Sequence, residues 1–256
     1  MDMLLPLGIS VGINAIFFAF AAALRTDKVT DLSYSLSFVA LTVVLFIWGR
    51  GLLFTQIVTA ALICIWGIRL GAYLFTRILK TGVDHRFDDI RNRPLRFARF
   101  WLLQALTVWV VMLPAIRLFS RVGSSAVHWV SIVGFALWVI GFVIEVVSDS
   151  QKSAFKKDPA NRNRFIASGL WRYSRHPNYF GESLLWWGLF IATVPFLSGW
   201  DFLVAIGPLY LTLLLLFVSG VPLLEKSAAA KYGKDAEYLE YKRRTSIFLL
   251  LPPRRN

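Results

Sequence analysis

The chain has 256 residues, 57% of them hydrophobic, with a mean hydropathy of +0.59 and a net charge of +13. A soluble domain of this length has no core large enough to bury so many apolar side chains. The apolar residues also occur in runs close to the roughly 20 residues that cross a bilayer. The composition therefore excludes an ordinary soluble protein and predicts an all-α integral membrane protein.

The N-terminal residues Met1-Asp2-Met3 lack the basic segment of a signal peptide, so we expect the first apolar run to remain as a helix. Cys64 is the only cysteine, which excludes an intrachain disulfide and a cysteine-based metal site. The spacing of His, Asp and Glu residues does not indicate a metal site either, and we predict none. Without repeats or a soluble segment, we expect one membrane domain over residues 1–256.

Apolar runs and the polar residues that interrupt them predict seven transmembrane helices. The spans lie at about residues 2–24, 33–49, 52–76, 98–118, 126–148, 179–197 and 202–224. The connections on one side of the membrane contain 24 Lys and Arg residues, and those on the other side contain 3. Because basic residues concentrate on the cytoplasmic side, we predict an outside N-terminus and a cytoplasmic C-terminus.

The predicted cytoplasmic face carries two long basic loops and a basic tail at residues 226–256. The tail pattern predicts a short interfacial helix closed by Pro252 and Pro253. These charges exceed what topology alone requires. They indicate either contacts with lipid phosphates or a site for an anionic ligand.

Arg69 lies well inside the third predicted span, where an ionisable side chain is costly and is a functional candidate by default. Tyr73 and Arg77 follow on the same helical face, which gives a cationic stripe directed towards the cytoplasm. The alternative is a snorkelling arginine near a helix end.

Carboxylates mark two further spans. Glu145 and Asp149 are one helical turn apart near the end of the fifth span, where they either bind a ligand or pair with loop arginines. Asp31 opens the second span beside Tyr34, and either caps that helix or acts on a substrate.

The most informative stretch is 164–187, a basic and aromatic segment that leads into an apolar run. Arg164, Arg172, Arg175 and His176 precede Pro177 and Asn178, a pair that predicts the start of a helix. A helix N-terminus surrounded by cations is suited to an anion. Glu182 and Trp186 follow one turn apart on one face of that helix.

At G-L-W-R-Y-S-R-H-P-N-Y-F-G-E, residues 169–182, the sequence resembles the membrane steroid 5-alpha-reductase family, most closely its bacterial relatives of the DUF1295 type. The resemblance runs from about Asp31 to the C-terminus. It implies a seven-helix bundle that holds NADPH in its cytoplasmic half, with hydride delivered to the β-carbon of an enone and a proton to the α-carbon. A 3-oxo-4-ene steroid is the substrate it favours.

The resemblance also implies cofactor-binding positions. Those that match family motifs, adjoin them or fall on a family position by offset are Arg69, Lys80, Glu145, Asp149, Lys156, Arg164, Arg172, His176, Asn178, Tyr179, Glu182 and Trp186. Among them, Arg164, Arg172 and His176 are expected against the phosphates. The nicotinamide is expected between the second, third and sixth spans, near Glu182.

The catalytic positions depart from the family pattern of a carboxylate and a tyrosine. Asp31 falls on the carboxylate position, and Trp66 falls on the tyrosine position, where an indole donates a hydrogen bond but cannot relay a proton. Tyr34 or Tyr73 then takes that role. A buried, protonated Asp31 would donate to the substrate carbonyl as hydride arrives.

Two other classes are open. Membrane methyltransferases of the isoprenylcysteine or phospholipid type, which use S-adenosylmethionine, share the pattern at 175–181 and a glutamate like Glu225. The third class is a lipid-binding membrane protein without activity. For the reductase we expect a lipophilic small molecule entering from the bilayer and contacts with membrane lipids, but no nucleic acid and no obligate protein partner. The membrane is the bacterial inner membrane or the endoplasmic reticulum.

Overall fold

The computed structural model describes residues 4–24, 26, 29–49, 53–81, 93–121 and 127–254, and within them all side chains except those of Lys80, Thr81 and Pro94. Over these residues the chain is helical and has no strand. The α-helices are α1 Leu4–Ala23, α2 Thr30–Trp48, α3 Phe54–Thr81, α4 Pro94–Val111, α5 Leu113–Phe119, α6 Trp129–Lys157, α7 Pro177–Thr193, α8 Ile206–Phe217, α9 Val221–Tyr232 and α10 Ala236–Arg244.

Five helical segments in the described part of the chain are long and apolar enough to cross a membrane, namely Leu4–Ala23, Thr30–Trp48, Phe54–Leu79, Trp129–Lys157 and Gly199–Tyr232. A sixth is present if α4 and α5, which meet at 54°, form one broken span. The chain is therefore an integral membrane protein of the all-α class. Seven spans and the orientation of the termini stay predictions.

Prolines explain where the helices depart from the predicted spans. Pro114 stands in the first turn of α5 and cannot donate a backbone hydrogen bond to α4, so the predicted span 98–118 is broken at Met112. The predicted span 202–224 is observed as a 3-10 helix at Gly199–Ala205, then α8 and α9, with Pro222 in the first turn of α9. In contrast, α6 continues past the predicted end at residue 148 to Lys157.

The tail also differs from its prediction. Its helices are α9 and α10, and α10 ends at Arg244 with Thr245 as its C-cap, well before the two prolines that were expected to close it. The last turn of α10 contains the basic residues Lys242, Arg243 and Arg244. Their positive charges interact favourably with the negative end of the helix dipole. Residues 245–254 continue without a further helix.

The chain folds as two compact units. The first contains Met1–Ser131 and Thr193–Gly207, and the second contains Ile132–Ala192 and Pro208–Asn256. In the first unit α3 packs closely on α2, because Gly67 and Gly71 bring α3 onto Ser35 and Val39. A Cβ on Gly71 would lie 2.6 Å from Ser35 Oγ, so only a glycine fits without a shift.

Buried polar side chains join α1, α2 and α4 of the first unit. Gln104 donates to Asn14 Oδ1 at 2.8 Å and to Ser33 Oγ at 2.9 Å, and Asn14 donates to Ser37 Oγ at 3.1 Å. Ser10 Oγ donates to the carbonyl of Ala105 at 2.9 Å. We call this set the Gln104 network, with members Ser10, Asn14, Ser33, Ser37 and Gln104.

The second unit is organised by the crossing of α6 and α7. A Cβ on Gly141 would lie 2.6 Å from the Gly181 carbonyl oxygen, and one on Gly188 would lie 2.6 Å from the Trp138 backbone nitrogen. Small residues allow helix backbones to approach this closely in a membrane. The start of α7 is consequently held tightly against the middle of α6.

Candidate functional site

The loop that precedes α7 is fixed to α6 by the turn at 169–172. Gln151 Oε1 on α6 accepts a hydrogen bond from the backbone N–H of Leu170 at 2.9 Å, and Trp171 Nε1 donates to the Ser148 carbonyl at 3.1 Å. Gly169 has a φ of +61°, a left-handed conformation that suits glycine, and a Cβ there would collide with the Gln151 amide. This turn therefore requires both Gly169 and Gln151.

The tail holds the same loop from its other end. Ser174 and Ser246 form an isolated parallel bridge in which the Arg175 N–H donates to the Ser246 carbonyl at 2.8 Å. Ser174 Oγ donates to the Phe248 carbonyl at 2.8 Å. Residues 245–254 thus add a short extended segment beside the loop, and the tail is part of the site.

Tyrosines of α9 and α10 complete this attachment. Tyr241 donates to the Trp171 carbonyl at 2.7 Å, and Tyr232 donates to the Arg164 carbonyl at 2.9 Å. Phe165 packs against Tyr232, Tyr238 and Tyr241. Burial raises the pKa of Tyr241 far above its usual value of 10.0, so this phenol remains a hydrogen-bond donor at all physiological pH values.

A cavity of about 250 Å³ opens between the loop and the tail. Its lining residues include Arg172, Glu240, Tyr241, Arg244 and Thr245. Arg244 Nε donates to the Arg254 carbonyl at 2.9 Å and lies 3.8 Å from Glu240 Oε1. Two guanidinium groups at one opening form a suitable environment for a phosphate.

Glu225 of α9 is the charged centre of the second unit. Its Oε2 accepts from Arg175 Nη1, and its Oε1 lies 3.0 Å from His176 Nε2. Lys242 Nζ is 3.6 Å from Oε2. We call this group the Glu225 cluster; it joins the loop, α9 and α10 through one carboxylate.

The first residues of α7 present polar atoms to the interior. The helix starts at Pro177, as predicted, and the His176 ring stacks on Tyr179 with their centroids 5.9 Å apart. His176 Nδ1, Asn178 Oδ1 and Ser183 Oγ are buried, and none of the three atoms has a hydrogen-bond partner among the residues that the structure describes. We call these three residues the α7 polar cluster. Such atoms are costly to bury, which points to a ligand that completes them.

The remaining predicted cofactor residues of this unit fall into two groups. Glu145 and Asp149 on α6 and Trp186 on α7 are buried, while Glu182 is half-buried one turn after Asn178. Glu145 and Asp149 lie inside α6 rather than at its end, because that helix extends to Lys157. Lys156, Arg164 and Arg172 are exposed.

In the first unit, Asp31 does not cap α2. The N-cap residue is Val29, and Asp31 lies in the first turn, where its Oδ2 accepts a hydrogen bond from Arg77 Nη2 at 3.0 Å. The N-cap interpretation is therefore wrong, because the helix starts one residue before Asp31 and its carboxylate pairs across to α3 instead. This ion pair uses the carboxylate as an acceptor, whereas the expected role requires a donor.

The aromatic candidates lie on the facing sides of α2 and α3. Phe38 packs edge-on against both Tyr34 and the fully buried Trp66, with each pair of ring centroids 5.1 Å apart. Arg69 Cζ lies 5.1 Å from the Tyr73 ring centroid, so the guanidinium covers the tyrosine face. The side chain of Lys80, another predicted contact, lies outside the described part of the structure.

Sequence reasoning did not select several residues that build the site. They are Gln151, Ser183 and Tyr241, ordinary residue types that carry no local signal. Arg175 was expected only as one of the cations before α7, and Glu225 only in the methyltransferase alternative. Their ion pair with each other was not predicted, because the two residues lie far apart along the chain.

The helices define a multi-pass membrane protein, and its second unit contains buried polar atoms without hydrogen-bond partners among the described residues. The profile of the family described as "Protein of unknown function (DUF1295)" matches residues 17–245, which is most of the chain. The chain belongs to this family. The resemblance noted from residues 169–182 is thereby confirmed at the level of the family.

Curated relatives extend the comparison over shorter segments. The chain is 33% identical to mouse 3-oxo-5-alpha-steroid 4-dehydrogenase 1 over 81 residues, which cover 30% of this chain and 32% of that protein. The bovine protein of the same name is 33% identical over 92 residues, or 34% of this chain and 35% of that protein. The probable O-methyltransferase ustE of Ustilaginoidea virens is 32% identical over 77 residues, 27% of each chain.

The matched segments thus span about a third, or less, of the length of these relatives. No solved structure matches the chain. Both enzyme names belong to proteins that share a segment with this chain. They indicate two classes of activity, and the geometry of the site has to be compared with each.

Proposed function

We propose that this protein is an NADPH-dependent membrane reductase that reduces the carbon–carbon double bond of a lipophilic enone, most simply a 3-oxo-4-ene steroid. The observation that supports it best is the α7 polar cluster, whose His176 Nδ1 and Asn178 Oδ1 are buried without partners among the described residues. A dinucleotide carries both hydroxyl and amide groups that could complete such atoms and phosphates that need cations.

The cationic part of the site supports the same ligand. Arg172 and Arg244 line the cavity between the loop and the tail, and Arg164 lies on the same loop. A cofactor with a diphosphate and a 2′-phosphate gains from several guanidinium groups, which bind phosphate through paired hydrogen bonds. These residues would hold the phosphates, while the start of α7 would contact the rest of the cofactor.

NADPH bound at this site would supply the hydride for the β-carbon of the enone. The protein has to polarise the carbonyl, provide a proton to the α-carbon and exclude water. Asp31, Tyr34, Trp66 and Tyr73 stay the candidates for polarising the carbonyl. The ion pair of Asp31 with Arg77 gives the tyrosines a stronger claim to donate than the carboxylate.

The second candidate is an S-adenosylmethionine-dependent methyltransferase, which the match to the O-methyltransferase ustE favours. The Glu225 cluster weighs against it. A glutamate that received the cationic sulfonium would need a free oxygen, but Glu225 already receives Arg175 on one oxygen and His176 on the other. A cofactor without phosphates would also leave the cavity arginines without a use.

Thermal stability in detergent with NADPH, NADH or S-adenosylmethionine distinguishes the two candidates. We expect NADPH to raise the unfolding temperature most, and Asn178→Ala to weaken NADPH binding by about tenfold or more, as the loss of one buried hydrogen bond predicts. Arg243→Gln is the control, because Arg243 is exposed and forms a surface ion pair with Glu240 in the same tail. Stabilisation by S-adenosylmethionine alone would overturn the proposal.

An enone panel then tests the reaction. Oxidation of NADPH should depend on a 3-oxo-4-ene substrate and give the saturated ketone. From the excess of basic residues in alternate connections, the cofactor side is proposed to face the cytoplasm of a bacterial inner membrane or endoplasmic reticulum. The lipophilic substrate would enter from the bilayer.

A further inference from the structure

The Glu225 cluster fixes the chemistry of one histidine. His176 Nε2 lies 3.0 Å from Glu225 Oε1, and the His176 side chain is 6% exposed. Arg175 binds the other oxygen of the same carboxylate, and Lys242 approaches that oxygen at 3.6 Å. Glu225 is thus neutralised by cations before His176 is counted, and it needs only an N–H from the imidazole.

His176 is a neutral ring in this environment. Burial lowers its pKa below the ordinary 6.5, the positive charges of Lys152 and Arg175 act in the same direction, and Glu225 opposes them. A carboxylate can only accept a hydrogen bond, so the single proton of the neutral ring is on Nε2. Nδ1 therefore carries a lone pair and is an acceptor.

A second acceptor lies two residues further along the chain. Nδ1 of His176 and Oδ1 of Asn178 are both buried, and neither is hydrogen-bonded to any residue in the described ranges. Two acceptors repel the oxygens of a phosphate and attract O–H or N–H groups. This favours a donor group of the ligand at His176 over the phosphate role expected from its basic neighbours in the sequence.

We infer that His176 and Asn178 together accept hydrogen bonds from a donor group of the bound ligand, a sugar hydroxyl or a carboxamide N–H, and that Glu225 is the positioning residue that sets the tautomer of His176. The identity of the ligand, NADPH, rests on the proposed function. The tautomer of His176 does not depend on it. The phosphates are assigned to Arg172 and Arg244, so the site separates into an acceptor region and a cationic region.

The tautomer is measured on the ligand-free protein by nitrogen NMR with labelled histidine, because the chain has only 3 histidines and single His→Gln variants assign them. We expect His176 to be protonated at Nε2. In Glu225→Gln, Arg175 keeps the amide oxygen and the amide NH₂ faces His176, so the proton should move to Nδ1. Lys242→Gln is the control and should leave the tautomer unchanged. A doubly protonated His176 at neutral pH, or a proton on Nδ1 in the unaltered protein, would overturn the inference.

The ligand contact is measured with three probes: NADPH, its analogue with a methyl ketone in place of the carboxamide, and analogues that lack one ribose hydroxyl. The analogue without the relevant donor should bind about tenfold more weakly, which is the loss of one buried hydrogen bond. His176→Gln keeps an amide near the Nε2 position only, so this variant should bind NADPH and the analogue without the donor about equally. His176→Asn keeps an amide near the Nδ1 position, so it should retain part of the preference for NADPH.

The outcomes separate the two proposals. If His176→Gln weakened the binding of NADPH and of every analogue equally, the ligand would make no donor contact with His176. The inference would also be contradicted if His176→Gln weakened only the binding of the phosphate groups. If NADPH does not bind the unaltered protein at all, the proposed function fails, and the tautomer measurement still decides the role of Glu225.

Discussion

The Gln104 network and the α7 polar cluster are both sets of buried polar side chains, and they differ in whether their hydrogen bonds are made. Gln104 donates hydrogen bonds of 2.8 Å to Asn14 Oδ1 and of 2.9 Å to Ser33 Oγ. In the α7 polar cluster, Nδ1 of His176, Oδ1 of Asn178 and Oγ of Ser183 have no such partners within the described structure. Burial is nearly equal, since Gln104 is 7% exposed and His176 is 4% exposed.

This difference separates a structural role from a functional one. A paired network inside a membrane fixes helices against each other and leaves no capacity for a ligand. An unpaired cluster lowers the stability of the free protein and regains that free energy when a ligand supplies the missing partners. Intramembrane polarity by itself therefore does not identify a site.

The largest expected effect is on stability and belongs to the paired network. Gln104→Leu removes the donor to Asn14 Oδ1 and Ser33 Oγ and leaves buried acceptors without partners. We expect the free energy of unfolding in detergent to fall by roughly 1–4 kcal/mol, from two lost partners at the magnitudes found in water and in membranes. The measurement is a denaturant titration, in which the slope of the unfolding free energy against denaturant concentration should be the same for the variant and the unaltered protein.

A double variant serves as its control. In Asn14→Leu with Gln104→Leu both partners become apolar, so the loss should be smaller than the sum of the two single losses. Additive losses would mean that the two side chains do not form a network.

A smaller effect is expected in the α7 polar cluster, where the protonation of His176 should make the stability of the protein depend on pH. Because the pKa of His176 is lowered by burial, the unfolded chain binds more protons than the folded one just below pH 6.5. Stability is thus complete above pH 6.5 and decreases as the pH falls from 6.5 towards the folded pKa. Glu225 faces the ring and opposes this loss, while Lys152 and Arg175 add to it.

The unfolding temperature across this range tests the sign. His176→Asn should remove the decrease, whereas His128→Asn should retain it because His128 lies in the other unit and contacts Phe196. A protein that gains stability on acidification would have a charged His176, which would contradict both the prediction and the tautomer argument.

Local sequence patterns predicted an all-α chain with apolar helices and the start of α7, because hydrophobic runs and a proline in the first turn act within one element. The spacing of Asn178, Glu182 and Trp186 on one face follows from the helical period. The partners of Glu225 and the bridge between Ser174 and Ser246 could not be predicted, since they join segments distant along the chain. Asp31 shows the same limit: its position suited an N-cap, but a tertiary partner, Arg77, decided its use.

The smallest expected effect compares two buried serines. Ser33 donates to the Thr30 carbonyl at 2.7 Å and accepts from Gln104, so Ser33→Ala should cost roughly 1–2 kcal/mol of unfolding free energy. Ser183 is also buried, at 3% exposure, but has no partner in the described structure, so Ser183→Ala removes only an unsatisfied hydroxyl and should change stability by less than about 0.5 kcal/mol. Parallel denaturant titrations of the two variants measure the difference. If Ser183→Ala cost as much as Ser33→Ala, the hydroxyl would already have a partner in the free protein, and the start of α7 would be a structural network rather than a region that a ligand completes.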